Sequence, residues 1–525
     1  MYPGMNGAES LLHTLADSGI EICLGNPGTS EIHFVAALDR EPKMRGVLCL
    51  FEGVLAGAAD GYARMTGKPA ATLLHLGPGF ANATTFLHNA QKAGSPIVNI
   101  VGDHATTHAQ YAQAPLTSDI MGICRPVSHW LHRVTDLTAV AGDAARAVQA
   151  ARVAPGQVAT LVLPADMAWS EAGGPAPPLP VAPTAKVDMR VIDRIAAALL
   201  NGKPSALLMR GRCLERAGVE AAGRIAAKTG ARLLHDYFTP RMTRGHGLPE
   251  VERIPYFAED IVENLKGLQQ IVLVGADPPV TFFAYPGKPS WVTPEGCELL
   301  TLAEPHEDAV GALGMLADVL RAREPGRKVQ RTIHEVPAHA SLNAINLGAI
   351  MARLMPDDAI LSDDSITCGM GLHQSFKHGP THDWLVLCGG AIGDAQPMAV
   401  GAALACPSRK VIAVTGDGSA MYSLQAMWTM VREKLDVITV VCANRTYNIL
   451  HIELMRMGAQ NPGPKTLSMV DLGNPVLDFV KLAEGMGVEA SRAETTSQFA
   501  AQFADAMDRR GPRLIEAVLN GGFGG

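Results

Sequence analysis

The nine cysteines contain no C-x-x-C pair. Without that spacing neither a clustered zinc site nor a disulfide framework is expected, and the scattered thiols point to a reducing compartment. Positive charge is also short: 44 Lys and Arg stand against 51 Asp and Glu, a formal net charge of -7. That balance argues against nucleic acid or an anionic membrane as the main partner. The chain does not open on a basic segment followed by an apolar run, so no secretory signal is expected. No uninterrupted apolar stretch is long enough to span a bilayer. A soluble cytoplasmic protein is the expectation, and no short internal repeat divides it.

What is present is length and apolar content. At 525 residues, 47% of them hydrophobic, the chain is too long for one ordinary core. About three domains are expected. Through the first third, short apolar runs at 22–24, 47–51, 71–76 and 97–101 alternate with helical patterns. That order predicts a parallel, doubly wound sheet. A proline-rich stretch at 173–180 reads as a linker. Strand candidates at 205–209, 231–234 and 271–275 predict a second α/β unit, and the polar stretch 323–340 reads as a second linker. The expected division is therefore residues 1–170, 188–322 and 341–525. The last six residues, 520–525, hold four glycines, which favour flexibility.

The chemistry is densest at 411–444. An apolar β-branched run turns at Gly416-Asp417-Gly418, a helical pattern follows, and a second apolar run ends at Asn444. This is a β-α-β unit. Its glycines let backbone approach a ligand, and the acid and the amide oxygen form a candidate pair for a hard cation such as Mg²⁺. Gly-Asp-Gly is also an ordinary turn. Nearer the N-terminus, Glu52 follows an apolar run and precedes a helical pattern rich in Ala and Gly. An acid there either serves a site or simply starts a helix. Thr29 and Ser30 follow Gly25-Asn26-Pro27-Gly28 and could cap the next helix. His75 sits in an apolar run, where a histidine is commonly a satisfied core residue. His104 and His108 follow the run at 97–101 and read as loop residues, with no third metal ligand evident.

With these residues in view, the chain resembles the thiamine-diphosphate-dependent enzymes, the group of pyruvate decarboxylase, acetolactate synthase and benzoylformate decarboxylase. Gly416-Asp417-Gly418 followed by Asn444 resembles the cofactor motif, although the second asparagine that usually closes it is Arg445 here. The segment from Glu52 to Ala63 resembles the family's glutamate segment, and Gly25 to Glu31 its first active-site loop in the benzoylformate decarboxylase form. The resemblance spans essentially the whole chain and is weakest in the middle.

It implies pyrimidine-binding, middle and diphosphate-binding domains. Asp417, the Asn444 side chain and the Thr446 carbonyl would hold Mg²⁺. Gly416, Gly418, Ser419, Tyr447 and Thr367 would serve the cofactor. Glu52 would hydrogen-bond its aminopyrimidine, the Gly390 carbonyl would accept from that ring, and Ile392 would wedge the two rings apart. Thr29 and His75 would act on the substrate, with Asn26, Phe282, Phe283 and Leu450 lining its pocket. A homodimer is implied as the minimum and a homotetramer as usual. The implied reaction is non-oxidative decarboxylation of an apolar or aromatic 2-oxo acid through an enamine. Its rivals are acetolactate-synthase-like carboligation and a non-catalytic cofactor-binding regulator. Two departures count against the simplest assignments. The stretch 278–285 lacks the second histidine of benzoylformate decarboxylases, and Leu450 stands where pyruvate decarboxylases carry a glutamate. Met209-Arg210-Gly211-Arg212 is too short to serve as a flavin fingerprint, so FAD is not expected.

Overall fold

The computed structural model describes residues 4–108, 110–459 and 461–519; the tail 520–525 lies outside them. Three sheets carry the chain. The first contains β1 (Ile22–Asn26), β2 (Arg45–Leu48), β3 (Ala70–Leu74), β4 (Ile97–Asp103), β5 (Trp130–Arg133) and β6 (Val158–Pro164). Its order is β2-β1-β3-β4-β6-β5, parallel throughout. β4 and β6 are buried along their whole length, as continuous apolar runs in a sheet covered on both faces must be.

The second segment supplies β7 (Ser205–Met209), β8 (Arg232–His235), β9 (Arg241–Arg244), β10 (Glu252–Arg253), β11 (Gln270–Val274) and β12 (Glu298–Ala303). Five of these form a parallel sheet in the order β10-β8-β7-β11-β12. The third sheet contains β13 (Ile360–Asp364), β14 (His382–Val386), β15 (Val411–Gly416), β16 (Val437–Ala443), β17 (Glu489–Ala493) and β18 (Arg513–Val518). Its order is β17-β18-β16-β15-β13-β14-β9. The expected architecture of three parallel α/β sheets is therefore present, with one departure. β9 leaves the middle segment and closes the third sheet's edge, antiparallel to β14.

The sheets share cores. One apolar cluster joins Leu24, Val54 and Phe80 to Met398, Val411 and Val437, and another joins the middle segment to the third. The first junction rests on the helices Glu52–Thr66 and Ala395–Ala405. A Cβ on Gly57 would strike Asp394 and Pro397. One on Gly61 would strike the Met398 backbone, and one on Gly401 the backbone of Ala58 and Tyr62. Small residues four apart thus let two helix backbones touch. No helix among the described residues is long and apolar enough to cross a membrane.

Two boundaries differ from the sequence reading. β2 ends at Leu48, and Phe51 is the cap residue of the next helix, in extended geometry at φ -152° and ψ 135°. Glu52 is therefore the first residue of that helix and does not end a strand. β3 ends at Leu74, which places His75 at the strand–helix junction before a left-handed Leu76 at φ 48°.

Candidate active site

Glu52 is buried, and both carboxylate oxygens are held. Asn26 Nδ2 donates to Oε1 at 3.1 Å and Asn82 Nδ2 to Oε2 at 3.0 Å. Asn26 comes from the end of β1 and Asn82 from the helix Leu76–Ala93. The parallel sheet thus brings strand end and helix start together at one edge, where open α/β sheets bind ligands. Each oxygen accepts one amide hydrogen and keeps a lone pair for a further donor.

His75 lies along the same edge. Its Nδ1 is 2.8 Å from Glu31 Oε2, which also accepts the Gly28 N–H at 2.8 Å. Glu31 is buried with Oε1 unpartnered, and burial raises its carboxyl above the usual range against those two hydrogen bonds. A Cβ on Gly28 would collide with the His75 ring. Gly28, and not Thr29 or Ser30, occupies the cap of the short turn Thr29–Glu31, and Thr29 is exposed. The histidine is therefore oriented by a carboxylate, which a packed core histidine does not require.

The third sheet presents the oxygen-rich edge. Asp417 is buried; Gly418 N donates to Oδ1 at 2.9 Å and Arg445 N to Oδ2 at 2.5 Å. Burial raises this carboxyl too, opposed by the two backbone donors. Asn444 Oδ1 accepts the Thr446 N–H at 3.1 Å, which folds the turn through a left-handed Arg445 at φ 58°. The Thr446 hydroxyl donates to the Val470 carbonyl at 2.9 Å. Tyr447 packs its ring over Gly418, where a Cβ would not fit, and Ser419 Oγ reaches the Asp364 carbonyl at 3.4 Å. A carboxylate, an amide oxygen and a turn of backbone make a hard donor set suited to Mg²⁺.

Beside it runs the loop 389–393, clamped from the first segment. His88 Nε2 lies 3.1 Å from the Gly389 carbonyl. Asn89 Nδ2 donates to the Ala391 carbonyl at 2.9 Å and to Asp394 at 2.8 Å. Gly390 is exposed in left-handed geometry at φ 78°, and Ile392 is half-buried. Asp364 fixes the far end by accepting from Gly393 N at 2.8 Å and Ala395 N at 3.2 Å. Thr367 is buried at the start of the helix Thr367–Lys377, after a left-handed Ile366.

The remaining candidates lie in three further segments. Phe282 stacks on Tyr256 at 4.9 Å and meets Phe238 edge-on, while Phe283 is exposed. Leu450 is exposed on the helix Asn448–Arg456, which is tied to the middle segment by the Arg456–Glu259 ion pair. The rings of His104 and His108 are 5.0 Å apart in the loop after β4. Among the described residues no group of three His, Cys, Asp or Glu is placed to hold a metal. The residues that sequence reasoning missed are Glu31, Asn82, His88 and Asn89. Glu31 stood inside the recognised loop; nothing local marks the other three.

Buried carboxylates thus stand at the edges of the first and third sheets, Glu52 and Glu31 on one and Asp417 on the other. The N-terminal TPP binding domain of thiamine pyrophosphate enzymes matches residues 5–135, and their C-terminal TPP binding domain matches 366–517. The chain belongs to the thiamine-pyrophosphate-dependent enzymes, a family with decarboxylase and acetolactate synthase members. It is 47% identical over 517 residues to the Mycobacterium tuberculosis protein described as "Putative acetolactate synthase large subunit IlvX", covering 98% of this chain and 99% of that one. It is 27% identical to a benzoylformate decarboxylase of Pseudomonas aeruginosa, covering 95% and 96%. The thiamine diphosphate-dependent 4-hydroxybenzoylformate decarboxylase of Rhodococcus jostii superimposes with a TM-score of 0.87 at 25% identity, covering 98% and 99%.

Proposed function

We propose that the protein decarboxylates an apolar or aromatic 2-oxo acid non-oxidatively, with thiamine diphosphate held through Mg²⁺. The observation that carries this reading is the doubly anchored Glu52 beside the Glu31-oriented His75. When bound, the cofactor supplies the nucleophilic carbon and the electron sink that let a carboxylate depart as CO₂. Asp417, Asn444 and Thr446 would hold the metal, and Gly416, Gly418, Ser419, Tyr447 and Thr367 would complete the diphosphate end. Gly390 and Ile392, on the clamped loop, would position the ring end.

The chain's own groups do the proton work. Glu52 presents free lone pairs to a ring nitrogen and holds or releases a proton there. With Glu31 ionised, His75 keeps its Nδ1 proton toward that carboxylate and turns Nε2 outward to take or give a proton at substrate. Asn26 orients Glu52 and lines the cleft, while the exposed Thr29 hydroxyl offers a donor to a substrate carboxylate. Phe282, Phe283 and Leu450 are the candidate apolar wall. Leu50, Met421 and Tyr422 are exposed next to Glu52 and to the Gly-Asp-Gly turn, which supports a second copy covering them. A homodimer at minimum, and a homotetramer as the complete assembly, belong to this proposal.

A second reading, carboligation to a 2-hydroxy ketone or acetohydroxy acid, is supported by the name of the 47% identical relative. One experiment separates them: CO₂ release from a panel of 2-oxo acids, with both cofactors supplied and withheld, and products identified. Cofactor-dependent CO₂ with matching aldehyde is expected. A coupled hydroxy ketone would shift the assignment to carboligation, and no CO₂ from any acid would sink both.

A further inference from the structure

A cavity of about 380 Å³ opens where β9 and β10 meet the helix Thr367–Lys377. Its lining shares no residue with the Glu52 and Asp417 edges or with the loop 389–393. Two arginines face it. Arg244 on β9 is nine-tenths buried; its Nη2 donates to the His373 carbonyl at 3.0 Å, and its guanidinium lies 4.9 Å from the Trp384 ring centre. Its Nη1 is buried with no hydrogen-bond partner among the described residues. Arg253, at the end of β10, lies 4.2 Å over the Tyr237 ring.

The acids near this pair are engaged by other donors. Buried Asp363 acts on Arg253 but accepts from Ser365 N at 2.9 Å and from Ser365 Oγ at 2.6 Å. Glu250 is close enough to act on Arg244 but is bound to Lys377 at 2.5 Å. Glu252 is bound to Arg232 at 2.7 Å, and Asp260 is exposed. The histidines behind the arginines add no negative charge. His235 Nδ1 lies 2.7 Å from the Asp236 carbonyl, its ring is 5.9 Å from that of His373, and Nε2 of each is buried without a partner. Burial holds both rings well below their ordinary pKa, so they are neutral. Burial and the charge of Arg253 push Arg244 down to about 9, which leaves it charged at neutral pH.

A buried charge without a counterion is costly, and a guanidinium fork matches the oxygen spacing of a carboxylate or phosphate. We propose that this cavity binds a small organic oxoanion, a carboxylate or a phosphate monoester, through Arg244 and Arg253. The space exceeds that of a bare oxoanion, and Tyr237, Tyr256 and Phe257 give the organic body an apolar wall.

The test is isothermal titration of the holoenzyme, saturated with thiamine diphosphate and Mg²⁺ so that the diphosphate site is filled. The probes are inorganic phosphate, AMP and phenylacetate. Arg253→Met removes a half-buried cation, and Arg244→Lys keeps the charge while losing the fork; circular dichroism confirms that each variant is folded. Saturable binding of AMP or phenylacetate is expected, weakened about tenfold in Arg253→Met. AMP tighter than inorganic phosphate identifies a phosphate ester, and phenylacetate alone identifies a carboxylate. No saturable binding of any probe up to about 10 mM, or affinities equal in wild type and both variants, overturns the proposal.

Discussion

Glu52 carries the sharpest expectation at the scale of single residues. Glu52→Gln is isosteric and keeps one of the two asparagine donors satisfied, but it cannot carry the proton. Cofactor-dependent CO₂ release should fall by about 10²- to 10⁴-fold with unchanged circular dichroism. Glu31→Gln tests the orienting carboxylate of His75: kcat should fall about tenfold or more in steady-state assays, and an unaltered kcat would leave His75 as packing. His382 tests burial itself. Its ring, inside the third sheet, is held down to about 3 from an ordinary 6.5, chiefly by burial. Folding therefore excludes a proton that the unfolded chain binds. The stability is intact above 6.5 and is lost as pH falls toward 3, by about 2 kcal/mol between pH 6.5 and about pH 5. Urea titrations at several pH values should show this slope in the wild type and a shallower one in His382→Gln.

The helix pair Glu52–Thr66 and Ala395–Ala405 is the element on which the first junction depends. Gly401→Ala places a methyl against the backbone of Ala58 and Tyr62, which no rotamer change relieves. Destabilisation of about 1–3 kcal/mol is expected from urea midpoints, with lowered activity because Glu52 begins the displaced helix. Which elements the sequence displays follows from the same physics. β4, β6, β15 and β16 are apolar runs buried on both faces, and their periodicity is visible along the chain. The run through Cys49, Leu50 and Phe51 outlasts β2 because Phe51 keeps extended dihedrals without a ladder partner. β9 reads Arg-Met-Thr-Arg and has no apolar run; only the open edge of β14 makes it a strand. The site divides likewise. Asp417 stands in a glycine turn, and Asn444 and Glu52 follow apolar runs, so all three can be singled out locally. Asn82, His88 and Asn89 cannot, because they act at long range: Asn82 meets Glu52 across 30 residues and Asn89 meets Ala391 across 302.

At the scale of the molecule, the helix Leu76–Ala93 sets the distance between Glu52 and the loop 389–393 of one chain. Asn82 holds Glu52 and Asn89 holds the loop 389–393, seven residues further on. Seven residues are two turns, so the anchors share a face and lie about 10 Å apart along the axis. The loop a chain clamps is thus offset from the glutamate that the same chain anchors. A second copy, packed over the exposed Leu50, Met421 and Tyr422, would bring its own Asp417 edge to that glutamate. Two consequences are measurable. Specific activity should decline on dilution in step with dissociation seen by sedimentation. Adding thiamine diphosphate and Mg²⁺ should move both midpoints to lower protein concentration together, because a ligand that binds only the assembled site stabilises it by mass action. A monomer retaining full specific activity would show that each chain completes its own site, and the exposed patch would then need another explanation.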